Sequence, residues 1–307
     1  MIEKISWHGW KNVYRFWNRA VQLLVLADVG PRVIKYGFEG DDNVLCEVDS
    51  DSGFSGGNDF RLYGGHRLWV SPEVERTYFP DNCAVQTERD GSRVRFTAPV
   101  ENVVPGTNLQ KELEVELEDR GSRVHLRHRI TNHDNRPTEL APWCPTMMRA
   151  GGRAILPLPP RIAMDKAHYL PVGPMTLWSF TDLADPRWHF GTEYIQLEQQ
   201  AEPAVRFEEQ MTGIFNPSGW GAYFSSGLLF VKRASVIAGA TYPDFGCNFE
   251  VFTNRMFLEL ETLGPSVRLE PGEQTTHTET WQLYSKVPPG QDEQWIRSAI
   301  LPLVNAS

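Results

Sequence analysis

Alternation with a period of two constrains this chain more than any other feature of it. In the stretch LEVELEDRGSRVHLRHRI, Leu113, Val115 and Leu117 alternate with Glu114, Glu116 and Glu118. Successive side chains of a strand point to opposite faces, so this segment has one apolar face and one wet face. Asp119 to Ser122 supply a turn, and Val124, Leu126 and Ile130 resume the apolar face, which predicts a β-hairpin. The pattern recurs in FLELETLGPSVRLEPGEQTTHTETWQLY, where Leu258 and Leu260 alternate with Glu259 and Glu261 and Pro271-Gly272 marks a turn. AVQLLVLADVGPRVIKYGF predicts two strands broken at Gly30-Pro31, and RVRFTAPV predicts one after an Asp90-Gly91 turn. Helical periodicity is confined to DEQWIRSAI, with Asp292 as N-cap and Pro302 as the stop. No low-complexity linker or internal repeat divides the chain. Residues 1–307 therefore read as a single all-β domain, a large antiparallel fold of two sheets packed face to face. The proline-rich AILPLPPRIAMDKAHYLPVGPMTLWSF reads as a long ordered loop or edge excursion, the kind of segment that builds binding sites on a rigid scaffold.

Composition narrows the function classes. A net charge of −9 and the lack of a basic run speak against nucleic acid and against anionic membranes as partners. No run of 18 apolar residues is present to span a bilayer. The N-terminal MIEKISWHGWKNVYRFW lacks the charged-then-apolar layout of a secretory signal. Cys46, Cys83, Cys144 and Cys247 are far apart and show neither zinc spacing nor a disulfide framework. The expectation is a cytoplasmic protein with reduced cysteines, needing no cofactor and no metal; oligomeric state is left open. The 10 tryptophans and 16 phenylalanines are a heavy aromatic load, useful both in a core and for stacking on ligands.

Three motif matches fail on context. Gly53 to Gly57 fits G-x-S-x-G, but an acidic turn precedes it and a glycine-rich segment follows, where a nucleophile elbow needs a strand and a helix. DSDSG lacks the third acidic position of a calcium loop, and Phe60 stands where the closing glutamate belongs. His125 and His128 are three apart, which on a strand puts them on opposite faces.

Two segments carry chemistry. YGGHRLWVSPE brings together two glycines, which permit close backbone approach, a histidine that titrates near neutrality, an arginine with a planar donor fork, and a tryptophan able to stack on a pyranose. The same residues also suit a strand end with a buried tryptophan and an ion-paired arginine. In FLELETLGP, Glu259 and Glu261 share one strand face; they suit a solvated stripe or a general base equally well on spacing alone.

The run TYPDFGCNFEVFTNRMFLELETLGP, the closing LEPGEQTTHTETWQL, the segment YGGHRLWVSPE and the central RHRITNHDNRPTELAPWCPTMM together resemble the galactose mutarotase-like (aldose 1-epimerase) superfamily over most of the chain. The resemblance implies a β-supersandwich with a sugar-sized cleft. It also implies a mechanism in which a glutamate takes the anomeric hydroxyl proton while a histidine protonates the ring oxygen. Glu261 matches the catalytic glutamate. The family's acid histidine has no counterpart in ELAPWCPTMM, where Trp143, Cys144 and Thr146 stand, and His66 is the substitute from another strand. The substrate-binding residues that follow from this resemblance are Arg67, Trp69, Glu73, Trp143, Lys232 and Asp244.

The expected function is that of an aldose 1-epimerase-like enzyme with Glu261 as base and His66 as acid, acting on a small carbohydrate. Two alternatives stand beside it. One is a sugar-binding protein without chemistry. The other is a hydrolase or lyase, with Glu73 and Glu261 as the carboxylate pair or Tyr63 and His66 as bases. Arg67, Arg76 and Lys232 would suit an anionic sugar.

Overall fold

The computed structural model describes residues 1–102, 108–203 and 207–306. Among these residues the strands form three antiparallel sheets. The predicted hairpin is present as Leu109–Leu117 and Val124–Asn132, with Leu117 opposite Val124 and Val115 opposite Leu126. It sits inside a ten-stranded sheet whose centre is Trp220–Ser225, Leu228–Ala234 and Gln274–Tyr284. A seven-stranded sheet runs in the order Met175–Leu177, Gln210–Ile214, Phe249–Thr253, Leu258–Leu263, Thr138–Met148 and Val267–Leu269, with Trp69–Ser71 also paired to Thr138–Met148. The third sheet is a four-stranded meander that contains the predicted Val21–Leu26 and Arg32–Phe38.

One continuous apolar core joins all three sheets. Leu23 and Tyr36 come from the meander, Phe249, Leu258 and Leu260 from the seven-stranded sheet, and Val115, Phe230 and Trp281 from the ten-stranded sheet. Each of these residues alternates with a neighbour on the opposite face, so the period-2 pattern of the sequence is what fills the interior. No helix among the described residues is long and apolar enough to cross a membrane.

One local expectation is corrected, and one turn does more than its signal says. The Pro271-Gly272 turn is present but joins two layers: Val267–Leu269 pairs with Thr138–Met148 in one sheet, whereas Gln274–Tyr284 pairs with Val124–Asn132 in the other. The chain crosses between layers there, which two alternating strands in sequence cannot reveal. The corrected expectation is that of Pro302, which does not end the C-terminal helix. Asp292 caps it as expected, accepting from the Trp295 amide at 2.7 Å. A π-helical turn over Ile296–Ile300 then leads into Leu301–Asn305, and Pro302 falls in the first turn of that last segment.

The proline-rich segment is, as expected, a long excursion. After Arg153–Pro157 the chain forms no strand until Met175–Leu177 and exposes Ile162, Met164, Tyr169, Leu170 and Val172. It lands beside the candidate site, where Thr176 Oγ1 donates to the Asp244 carbonyl at 2.9 Å.

Candidate functional site

The segment that follows Tyr63 is threaded where only glycine fits. Gly64 and Gly65 have φ of +98° and +70°, and a Cβ on them would lie 2.2 Å from the Cys46 carbonyl oxygen and 2.0 Å from that of Val33. This close approach docks the segment against the meander and against Thr138–Met148, through bridges from His66 to Val33 and to Thr146. From there alternation sorts the side chains. His66, Leu68 and Val70 turn inward, while Arg67, Trp69 and Ser71 share the face that carries Trp143 and Glu261.

His66 and Glu261 are therefore not brought together. His66 is fully buried, with its Nδ1 2.8 Å from Thr146 Oγ1 and its Nε2 2.7 Å from His128 Nε2. Thr146 and Pro145 are adjacent on one strand and so face opposite ways, and it is Pro145 that lies opposite Glu261. The expected acid–base pair fails on the parity of a single strand. Lys232 is likewise interior: its Nζ donates to the Cys144 carbonyl at 2.6 Å and to Thr146 Oγ1 at 2.8 Å, and lies 3.0 Å from Glu279 Oε1. Tyr63 is also buried, donating to Asn82 Oδ1 at 2.8 Å.

The inward cluster has one self-consistent proton arrangement. Lys232 donates to Thr146, whose hydroxyl donates to His66 Nδ1. His66 Nε2–H donates to His128 Nε2, and His128 Nδ1–H donates to the His277 carbonyl at 3.1 Å. His277 Nε2–H donates to Thr262 at 2.9 Å, Thr262 donates to Glu279, and Trp281 Nε1 donates to the other Glu279 oxygen at 2.8 Å. All three imidazoles are neutral in this scheme. Burial agrees: it pushes His128 and His277 down to about 3 and holds His66 well below the usual histidine range, with the Lys232 charge adding to the effect. The His66, His128 and Glu279 ligand atoms, and those of Cys144, His277 and Glu279, are spaced closely enough to surround a cation. The ring nitrogens that face one another there are already engaged, and the Lys232 ammonium occupies the carboxylate, so the donor set fits a hydrogen-bonded cluster better than a metal.

The outer face carries the chemistry. A row across the sheet reads Arg67, Pro145, Glu261, Glu250, Gly213 and Thr176, each residue opposite the next on neighbouring strands. Glu250 and Glu261 are each 1 % exposed. Glu261 Oε2 accepts from the Trp143 indole N–H. The Glu250 carboxyl lies beside Asp244, and its Oε1 is buried without a partner. Burial, followed by the neighbouring carboxylates, raises the proton affinity of both glutamates well above the ordinary range, and Glu259 next to them is pushed up to about 7. Asp244, which also accepts from Ser71 Oγ at 3.3 Å, is raised by burial too.

Aromatic rings flank the row. Trp69 packs edge-on against Trp143 at 5.1 Å and against Tyr78 at 5.4 Å, and the Arg67 guanidinium lies 4.6 Å above the Trp69 ring. Arg67 is buried, and burial pulls it down to about 9. Its Nη2 donates to the Leu62 carbonyl, and its Nη1 has no partner. Glu73 is exposed and accepts from the Tyr78 hydroxyl. Of the expected site residues, Arg67, Trp69, Trp143, Glu261, Asp244 and Glu73 thus gather at one place, and His66 and Lys232 do not.

Sequence reasoning missed Glu250 and Phe245. Glu250 interrupts the apolar NFEVF, a signal in itself, but its pairing with Glu261 needs the register. Phe245 is 92 % exposed and follows Asp244 in a run of three left-handed residues with Gly246 (φ of +51°, +64° and +109°). Backbone of this kind collects at functional sites.

No protein-family model matches the chain, and no curated protein matches it. Solved structures do. A galactose mutarotase-like protein from Lactobacillus casei ATCC 334 superposes with a TM-score of 0.60 at 10 % identity, over 89 % of this chain and 100 % of that one. A galactose mutarotase related enzyme from Lactobacillus acidophilus gives 0.54 at 9 % identity, over 91 % and 100 %. A galactose mutarotase-like protein from Clostridium acetobutylicum gives 0.52 at 10 % identity, over 93 % and 98 %. The fold is the galactose mutarotase-like one. On this galactose mutarotase-like fold the paired glutamates, the indole and the buried arginine occupy the face of the seven-stranded sheet turned away from the core.

Proposed function

We propose that this chain interconverts the anomers of a saccharide by acid–base ring opening, with Glu261 as base and Glu250 as acid. The observation that carries this reading is the register pair Glu261–Glu250, with Trp143 on the first and Asp244 on the second. Two carboxyl groups so close in a buried setting hold one proton between them more readily than none. The Trp143 N–H favours the ionised form of Glu261, and burial with the neighbouring Glu261 and Asp244 charges favours the proton on Glu250.

The chemistry follows from that division. Glu261 takes the proton of the anomeric hydroxyl as the bond between C1 and the ring oxygen breaks. Glu250 delivers its proton to the ring oxygen, and C1 becomes an aldehyde. Rotation about the C1–C2 bond followed by the reverse transfers closes the other anomer and restores both carboxyl groups. The exposed Tyr78 and Phe245 offer aromatic faces for the apolar side of a sugar ring.

The test is exchange NMR on a panel of hexoses with Glu261→Gln and Glu250→Gln. Gln keeps the shape of the side chain but cannot accept the proton. Interconversion should fall by about 10²-fold or more in each variant, with sugar binding retained. Unchanged rates would remove the pair from the mechanism. Binding without interconversion by the wild type would favour a carbohydrate-binding protein instead.

A further inference from the structure

We propose that the chain has a second binding site, a cavity beside Lys111 that takes a neutral single-ring aromatic molecule bearing an oxygen acceptor. The inference does not rest on the saccharide reading, and Trp69 is the residue the two sites share. It begins with a break in the alternation of Leu109–Leu117. Leu109, Leu113, Val115 and Leu117 are buried, and Lys111 stands in the same row, opposite Ile130 and 7 % exposed. A lysine at a core position takes its ammonium out of water, which is costly unless a polar partner awaits it. Here Glu101, also 7 % exposed, lies 2.6 Å from Nζ.

The pair borders a cavity of about 180 Å³. Leu68, Trp69, Phe79, Pro80 and Val100 form its apolar walls, and the exposed Cys83, Pro99 and Asn102 mark its mouth. An apolar cavity of roughly 150 Å³ holds a benzene molecule, so this one has room for a ring with a small substituent. A buried ion pair is often no better for stability than packed apolar side chains of the same volume. Folding alone therefore does not account for an ammonium and a carboxylate kept at the wall of an unfilled apolar space.

Charge decides the class of ligand. Lys111 is offset by Glu101, and Asp81, the other carboxylate on the lining, is offset by Arg32 at 2.5 Å. An entering anion would meet two carboxylates, and an entering cation would meet the ammonium. A neutral molecule meets neither penalty. An ammonium donates three hydrogen bonds, and among the described residues Lys111 Nζ has Glu101 as its one partner. A carbonyl or hydroxyl oxygen on the ring would accept from a remaining N–H, and hydrogen bonds from charged donors are the stronger kind.

The experiment is calorimetric titration of the full chain with acetophenone and phenol, against toluene, benzoate and benzylammonium. The expected result is that acetophenone or phenol binds about tenfold or more tighter than toluene, which has the ring without the oxygen, and tighter than either charged ligand. Lys111→Met keeps the reach of the side chain and removes the donor, so it should bring the oxygen-bearing ligands down to the affinity of toluene. Val100→Phe, at a half-buried position, should fill the space and weaken every ligand about tenfold or more; it serves if the Lys111 variant does not fold. Toluene binding as tightly as acetophenone and phenol, a charged ligand binding best, or affinities unchanged by Val100→Phe would each overturn the proposal. So would a panel of which no member binds, and none of these outcomes touches the acid–base reading of Glu261 and Glu250.

Discussion

Glu250 lies directly across from Glu261 on adjacent antiparallel strands, and neither carboxyl group reaches bulk water. Holding two such groups together costs stability that a purely structural protein has no reason to give up. Replacing Glu261 with Gln removes one of the interacting charges and keeps an oxygen for the Trp143 N–H. The Glu261→Gln protein should lose anomer interconversion and melt higher than wild type above neutral pH, as followed by calorimetry. A lower melting temperature at every pH would mean that the carboxylate is structural.

His66→Leu tests the inward cluster. It orphans the Thr146 hydroxyl and His128 Nε2, at a cost of about 1–3 kcal/mol for each group. The variant should melt well below wild type, while the activity per folded molecule is retained because His66 faces away from Glu261. Loss of activity in a fully folded His66→Leu protein would return the histidine to the mechanism. The same measurement on wild type with and without a chelator should give identical melting curves.

Stability should follow a dome in pH. The unfolded histidines protonate near their ordinary value of about 6.5. Folded His128 and His277 resist protonation down to about 3, and folded His66 is also lowered. Stability from these groups is complete above the ordinary histidine value and is lost as pH falls below it. The carboxyl groups act in the opposite sense. Glu250, Glu259 and Glu261 are raised in the folded chain, so what they contribute is present in acid and is lost as pH rises through the carboxylate range and, for Glu259, through about 7. Melting temperatures across this range should peak between the two limbs. Glu261→Gln should flatten the alkaline limb alone.

Gly65→Ala should be among the most damaging single changes. The new Cβ would meet the Val33 carbonyl at 2.0 Å on backbone held at φ +70°, and neither strand has room to move. A loss of at least about 3 kcal/mol is expected, read as a lower melting temperature or as insoluble protein.

The all-β class and the hairpin at residues 109–132 were legible because each depends on a two-residue period within one strand, whereas the gathering of Arg67, Trp69 and Trp143 around Glu261 followed from the family resemblance. The partner of Glu261 was not legible. Glu250 is eleven residues earlier in the chain, and only register places it opposite. The inward fate of His66 and Lys232 was hidden for a related reason. A strongly polar side chain looks like a site residue in sequence, and only the count from a strand end tells which layer receives it. The turn at Pro271-Gly272 was legible, but a turn signal does not say which sheet the chain enters next.

The sorting of residues 66 to 71 has an arithmetic consequence. Each side chain's destination is set by whether its position is odd or even, so the segment is written in parity. Inserting or deleting one residue after Gly65 would exchange the two layers at a stroke, sending the guanidinium into the interior and the apolar side chains out to the ligand face. A change of two residues would preserve the assignment and merely slide it along the strand. Length variation tolerated in this segment should therefore come in even steps.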